Sequence, residues 1–146
     1  MMVNSIERVI VTLSAVYDID CYVAGTTSLQ LVNVTVPRYA ELNSSVALGC
    51  HFDLSGNTLY SVKWYKDDHE FYRYMPSYEP KNLVFPQNGI NLDDQRSGMN
   101  QVTLRGVNFN STGAYRCEVS TEGPNFATVV STEAMTVRGK QSINYF

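Results

Sequence analysis

Three observations predict an all-β fold, an immunoglobulin-like β-sandwich of variable type. Cys50 and Cys117 stand 67 residues apart. Trp64 follows the first cysteine by 14 residues, and Tyr115 precedes the second by two. In such a sandwich a disulfide joins strands B and F across the two sheets. A tryptophan on strand C packs against it, and a tyrosine near the start of F closes the preceding corner. The cysteine separation leaves room for extra strands between C and D, which is the variable-type arrangement. Closing a loop of this length contributes about 4 kcal/mol in the chain-entropy model. A domain's net stability is roughly 5–15 kcal/mol, so that share is large.

The elements follow in order as short alternating runs separated by turn residues, with no long amphipathic helix. Leu31 to Val36 reads as strand A, and Pro37 breaks it where the first strand switches sheets. On strand B, Val46, Leu48, Cys50 and Phe52 share one face, and Ala47, Gly49 and His51 the other. Ser55-Gly56-Asn57 marks the B–C loop. Val62 and Trp64 point inward from strand C, which puts Lys63 and Tyr65 outside. Asp67-Asp68-His69 is the next turn, and Glu70 to Tyr74 is strand C′. Two registers stay open there: one exposes Tyr72 and Tyr74, the other Phe71 and Arg73. Pro76, Pro80 and Pro86 cut the following stretch into loops or short edge strands. Val102 and Leu104 point inward from strand E, and Asn110 to Gly113 turns into strand F. Tyr115, Cys117 and Val119 are inward on F, so Arg116, Glu118 and Ser120 face out. Glu122 to Asn125 is the F–G loop, and Phe126 to Val137 is strand G.

The chain's 146 residues suit one domain, residues 26–138, with a short tail at 139–146. An apolar fraction of 44% is enough to build a core, and the net charge is −3. No Lys/Arg cluster points to nucleic acid. Residues 1–25 read as a weak signal peptide: Arg8, an apolar run from Val9 to Tyr17, then a small-residue exit at Val23-Ala24-Gly25. Asp18 and Asp20 interrupt it, which keeps a disordered or misassigned start open as the alternative. Cleavage there would remove Cys21 and leave an even cysteine count, as secretion favours. No window reaches 18 apolar residues. The product is therefore read as secreted or extracellular at the cell surface, or as a fragment of a longer chain.

No residue pattern supports catalysis, a metal, a cofactor or a small-molecule substrate. Asp67 to Glu70 are adjacent residues in a turn. Their side chains diverge, so they read as a solvated hairpin rather than a metal centre. Asn33-Val-Thr, Asn43-Ser-Ser and Asn110-Ser-Thr are glycosylation acceptors. Asn43 and Asn110 fall in turns at one end of the sandwich, which leaves the C, C′, F and G face open. That face carries an outward Tyr65 between Lys63, Arg116 and Glu118. Such an aromatic, mixed-charge patch is typical of protein interfaces. The candidate partner-binding residues are Lys63, Tyr65, Tyr72, Tyr74, Arg116 and Glu118. Trp64 and Tyr115 are core. The first rival is an immune-type variable domain, but strand G carries Phe126-Ala-Thr-Val in place of a Phe-Gly-x-Gly joining motif.

Leu59-Tyr-Ser-Val-Lys-Trp-Tyr-Lys66, Glu70-Phe-Tyr-Arg-Tyr74 with Pro76, and Tyr115-Arg-Cys-Glu-Val-Ser120 with Pro124-Asn-Phe126 carry a closer likeness. They resemble the beaten path family of arthropod neuronal immunoglobulin proteins, over about Leu31 to Val137. The resemblance implies a cell-surface or secreted protein of the nervous system. It also implies an immunoglobulin partner of the sidestep family and a role in axon guidance and adhesion, with any membrane association indirect or through further sequence. Members usually carry a second immunoglobulin-like domain, whereas this sequence stops just past strand G, which reads as an incomplete or divergent product. Ser111 also stands where many variable-type domains have an aspartate paired with an arginine, which leaves Arg96 without that partner.

Overall fold

The computed structural model describes residues 28–140, in two β-sheets. The first holds three strands in the order β1-β3-β7: β1 (Gln30–Thr35), β3 (Val46–Asp53) and β7 (Gln101–Leu104). The second holds six in the order β2-β9-β8-β4-β5-β6. These are β2 (Tyr39–Glu41), β4 (Leu59–Lys66), β5 (His69–Tyr74), β6 (Asn82–Val84), β8 (Gly113–Thr121) and β9 (Thr128–Arg138). The proposed signal segment, Cys21 and the end of the tail lie outside the described residues.

Pro37 does what the sequence implies. β1 pairs antiparallel with β3 in one sheet, and after the proline β2 pairs parallel with β9 in the other. Glycosylation acceptor Asn33 is exposed on β1, at the edge of the small sheet. Strand G is shorter than predicted at its start: Phe126 stands in the preceding loop with a φ of 43°.

Alternation builds the core. Val46, Leu48 and Cys50 on β3, Val62 and Trp64 on β4, and Tyr115, Cys117 and Val119 on β8 are all buried between the sheets. The Cys50–Cys117 disulfide links the sheets there, and Trp64 sits opposite Cys117 in the β4–β8 register. Tyr115 donates its hydroxyl proton to the Ser111 carbonyl, which closes the tyrosine corner. Its burial pushes the phenol up, so it stays a donor.

Ser111 is buried, with its hydroxyl donating to the Gly89 carbonyl at 2.6 Å. An ionised aspartate there could not donate to that carbonyl, because a carboxylate only accepts. Arg96 instead stands exposed, 3.9 Å from Asp93, as expected for an arginine without a partner at position 111.

Candidate functional site

β4 runs through the middle of the six-stranded sheet, with β8 on one side and β5 on the other. Its inward residues Val62 and Trp64 are fully buried, so Lys63 and Tyr65 must project from the outer face. The β8 register places Glu118 opposite Lys63 and Arg116 opposite Tyr65. All four are half-buried, so the sequence-predicted centre of the face is brought together as expected.

Two predicted members do not belong to it. Tyr72 is fully buried, and Tyr74 is half-buried against the core. The cause is a bulge. Trp64 faces Tyr72 and Tyr65 faces Glu70, so Phe71 is an extra residue on β5. Phe71 turns into the core, where its ring meets Tyr115 edge-on, with centroids 6.1 Å apart. Tyr72 then takes the inward position opposite Trp64, and Tyr74 the inward position opposite Val62. Burial pushes the Tyr72 phenol up to about 12. The outward residues of β5 are Glu70 and Arg73, the latter opposite Lys63.

The outer face is a connected set of contacts. The Arg116 guanidinium lies 4.2 Å from the centroid of the Tyr65 ring. Its Nη1 donates to Asp68 Oδ1 at 2.6 Å. The Tyr65 hydroxyl donates to Glu118 Oε1 at 3.4 Å, a long contact. Desolvation, then the carboxylates of Glu118 and Glu70, holds the Tyr65 phenol above its usual range. On the far side Arg73 donates twice to Glu70, at 2.6 and 2.8 Å, and covers the Phe85 ring at 5.4 Å. This forked pairing fixes the guanidinium plane. The face thus carries three cations, Lys63, Arg73 and Arg116, and three carboxylates, Asp68, Glu70 and Glu118, with Arg73–Glu70 and Arg116–Asp68 already paired.

The β4–β5 turn is more than a solvated hairpin. Asp67 and Asp68 have φ of 48° and 65°, as a two-residue turn between twisted strands requires. Asp67 accepts from the Ala114 amide at 2.9 Å and from Lys66 Nζ at 2.7 Å. These hydrogen bonds, Lys66 first, hold its carboxyl below the usual range. Gly113 permits the approach, since a Cβ there would come within 2.6 Å of the Asp67 carboxylate. The anchored turn then aims Asp68 at Arg116.

Asn43 and Asn110 are exposed near each other's loops, with the Asn43 amide donating to the Val107 carbonyl at 2.8 Å. They lie at the Gly113 end of β8. With Asn33 on the other sheet, all three acceptors leave the outer face of β4, β5, β8 and β9 uncovered.

Asp68 and Glu70 are the members that sequence reasoning missed, while Arg73 was outward only in the alternative register, which also exposed Phe71. Their signal was the adjacent aromatic pair Phe71-Tyr72, which strict alternation cannot bury together.

Residues 34–137 match the model of the immunoglobulin V-set domain. No curated protein matches the chain. Among solved structures it resembles murine CRIg, with a TM-score of 0.54 at 15% identity over 78% of this chain and 99% of that one. It also resembles domain 1 of VCBP3 from Branchiostoma floridae, with a TM-score of 0.57 at 15% identity, covering 77% and 97%. Murine CEACAM1b gives 0.55 at 19% identity, covering 77% of this chain and 54% of that one. At such identities the likeness shows the fold.

Proposed function

Because this chain belongs to the immunoglobulin V-set domain family, whose members are typically binding modules, we propose that it is an extracellular recognition module. It binds another cell-surface immunoglobulin protein through the outer face of β4, β5, β8 and β9. The observation that carries this is Tyr65, half-buried at the centre of the face, with Arg116 over its ring and Glu118 at its hydroxyl. Interfaces concentrate tyrosine and arginine in that setting, and a pre-set geometry reduces the ordering cost of association. The disulfide favours an oxidising compartment. Among the described residues no helix is long and apolar enough to cross a membrane.

The finer reading is a partner of the sidestep type, in axon guidance and neuronal adhesion. Its support is the resemblance of the β4, β5 and β8 segments to the beaten path family. A secreted or surface-tethered location and glycans at Asn33, Asn43 and Asn110 belong to the same proposal.

The test is a panel screen of the secreted chain against cell-surface ectodomains, followed by a glycan wedge. Glu118→Asn completes an acceptor with Val119 and Ser120, and so plants a sugar on the face. Binding to any partner found should then vanish while the melting temperature holds. Asn43→Gln should leave the same binding intact. Retention of affinity by the glycosylated Glu118→Asn protein would move the site off this face.

A further inference from the structure

The far end of β8 carries a second feature that the face does not use. The loop between β8 and β9 is tied to the loop before β4: the Glu122 amide donates to the Thr58 carbonyl at 2.9 Å, and Asn125 Nδ2 donates to Asn57 Oδ1 at 2.9 Å. Between these loops lies a cleft of about 260 Å³, lined by Tyr60, Thr121, Glu122, Gly123 and Phe126. Its walls are almost wholly apolar, and Glu122 is the one ionisable acid in them.

Phe126 is the unusual wall. It is 77% exposed, and its φ of 43° is a left-handed conformation that a bulky side chain avoids. The loop holds it there by two bonds: the Ala127 amide donates to Thr121 Oγ1 at 3.0 Å, and the Thr121 amide donates to the Ala127 carbonyl at 2.9 Å. The ring lies over Gly123, where a Cβ would come within 2.8 Å of it. Backbone strain that keeps an apolar ring in water is the kind of feature that gathers at ligand clamps. Tyr60 is 40% exposed on the other wall, with the 49% exposed Tyr78 as its neighbour. Glu122 makes no ion pair among the described residues.

An occupant that uses both features of this cleft offers a flat, weakly hydrated surface to the rings and a positive charge to the neighbouring Glu122. A guanidinium meets both demands. It stacks on aromatic faces, is delocalised and planar, and carries its charge at every physiological pH. A lysine ammonium is compact and strongly hydrated, and a neutral sugar leaves the carboxylate uncompensated. We propose that the cleft receives an arginine side chain of a protein partner, as a subsite separate from the face centred on Tyr65.

The probe is a pair of blocked tripeptides, acetyl-Gly-Arg-Gly-amide and its citrulline counterpart, which has the same shape without the charge. Each is titrated into the secreted chain and followed by aromatic side-chain NMR signals. The arginine peptide should bind at least fivefold tighter than the citrulline one and shift Tyr60 and Phe126. Glu122→Gln should erase that preference, and Phe126→Ala should weaken both peptides. Tyr65→Ala should leave the preference unchanged, which separates this cleft from the face. Equal affinity for the two peptides, a preference that survives Glu122→Gln, or stronger binding of methyl α-mannoside than of either peptide would overturn the assignment. Both cleft substitutions are at the surface, and an unchanged melting temperature certifies the fold.

Discussion

Replacing Tyr65 by phenylalanine and by alanine separates what its hydroxyl does from what its ring does. The hydroxyl reaches Glu118 at 3.4 Å, near the outer limit of a hydrogen bond. Its loss in Tyr65→Phe should therefore cost about 0.5 kcal/mol of stability or less. The ring supports Arg116 at 4.2 Å, and an exposed cation–π contact contributes about 0.5–1 kcal/mol. Tyr65→Ala should thus destabilise the domain by about 1 kcal/mol. In a domain of this size that lowers the melting temperature by roughly 4 °C. Partner affinity should fall further, by about 2 kcal/mol or more, because a central interface tyrosine presents a large area with few rotors to freeze. That is roughly thirtyfold in Kd. Surface plasmon resonance with the partner from the ectodomain screen, and a thermal scan of each variant, give both quantities. Tyr65→Phe should stay within threefold of the parent. Equal losses for Phe and Ala would refute the aromatic-platform reasoning. A loss of stability beyond about 3 kcal/mol in Tyr65→Ala would place the ring in the core instead.

Tyr72→Ala should behave as a core deletion. The residue is fully buried, so chemical denaturation should show a loss of about 3–5 kcal/mol, and a drop in affinity without a drop in stability would restore it to the face. Asp67 should make the domain acid-sensitive. Its carboxyl is held below its ordinary value by Lys66 and the Ala114 amide, so the stabilisation is present above the unfolded-state value and is lost as pH falls through the lower folded one. Because the side chain is half exposed, Asp67→Asn should cost only about 1 kcal/mol at pH 7. Urea titrations at pH 7 and pH 2.5 check this: the gap between parent and variant should close at the lower pH, and a gap that persists would show that the carboxylate charge is not its source.

Most of the frame was legible because it rests on residues whose chemistry allows few settings. Two cysteines, a tryptophan and a tyrosine at these spacings admit one sandwich, and period-two alternation then sorts β3, β4 and β8 into inward and outward sets. Pro37 likewise announced the sheet switch, since it cannot donate to a ladder. The misplacement of Tyr72 and Tyr74 came from extending alternation through β5. A bulge leaves no mark in the period itself. Its trace is compositional, in that Phe71 and Tyr72 are both too large and apolar to leave one in water. The role of Asp67 was hidden for another reason: its amide partner Ala114 lies 47 residues away. The strain at Phe126 was equally invisible, because a bulky residue at positive φ is an outlier that no turn signal announces.

The extra residue on β5 also bears on how this face is compared with those of relatives. Removing Phe71 would leave Glu70 outward, Tyr72 inward and Arg73 outward, the same order the sheet shows now. The bulge is thus an insertion that enlarges the core while leaving the outward sequence in frame. A relative one residue shorter here would present the same outer positions. An alignment that opens no gap at Phe71 would set its surface residues against Tyr72 and Tyr74, and any history of partner choice traced from those columns would follow core packing instead. Divergence of specificity in such chains is to be sought in the columns of Lys63, Tyr65, Asp68, Glu70, Arg73, Arg116 and Glu118, with the gap placed first.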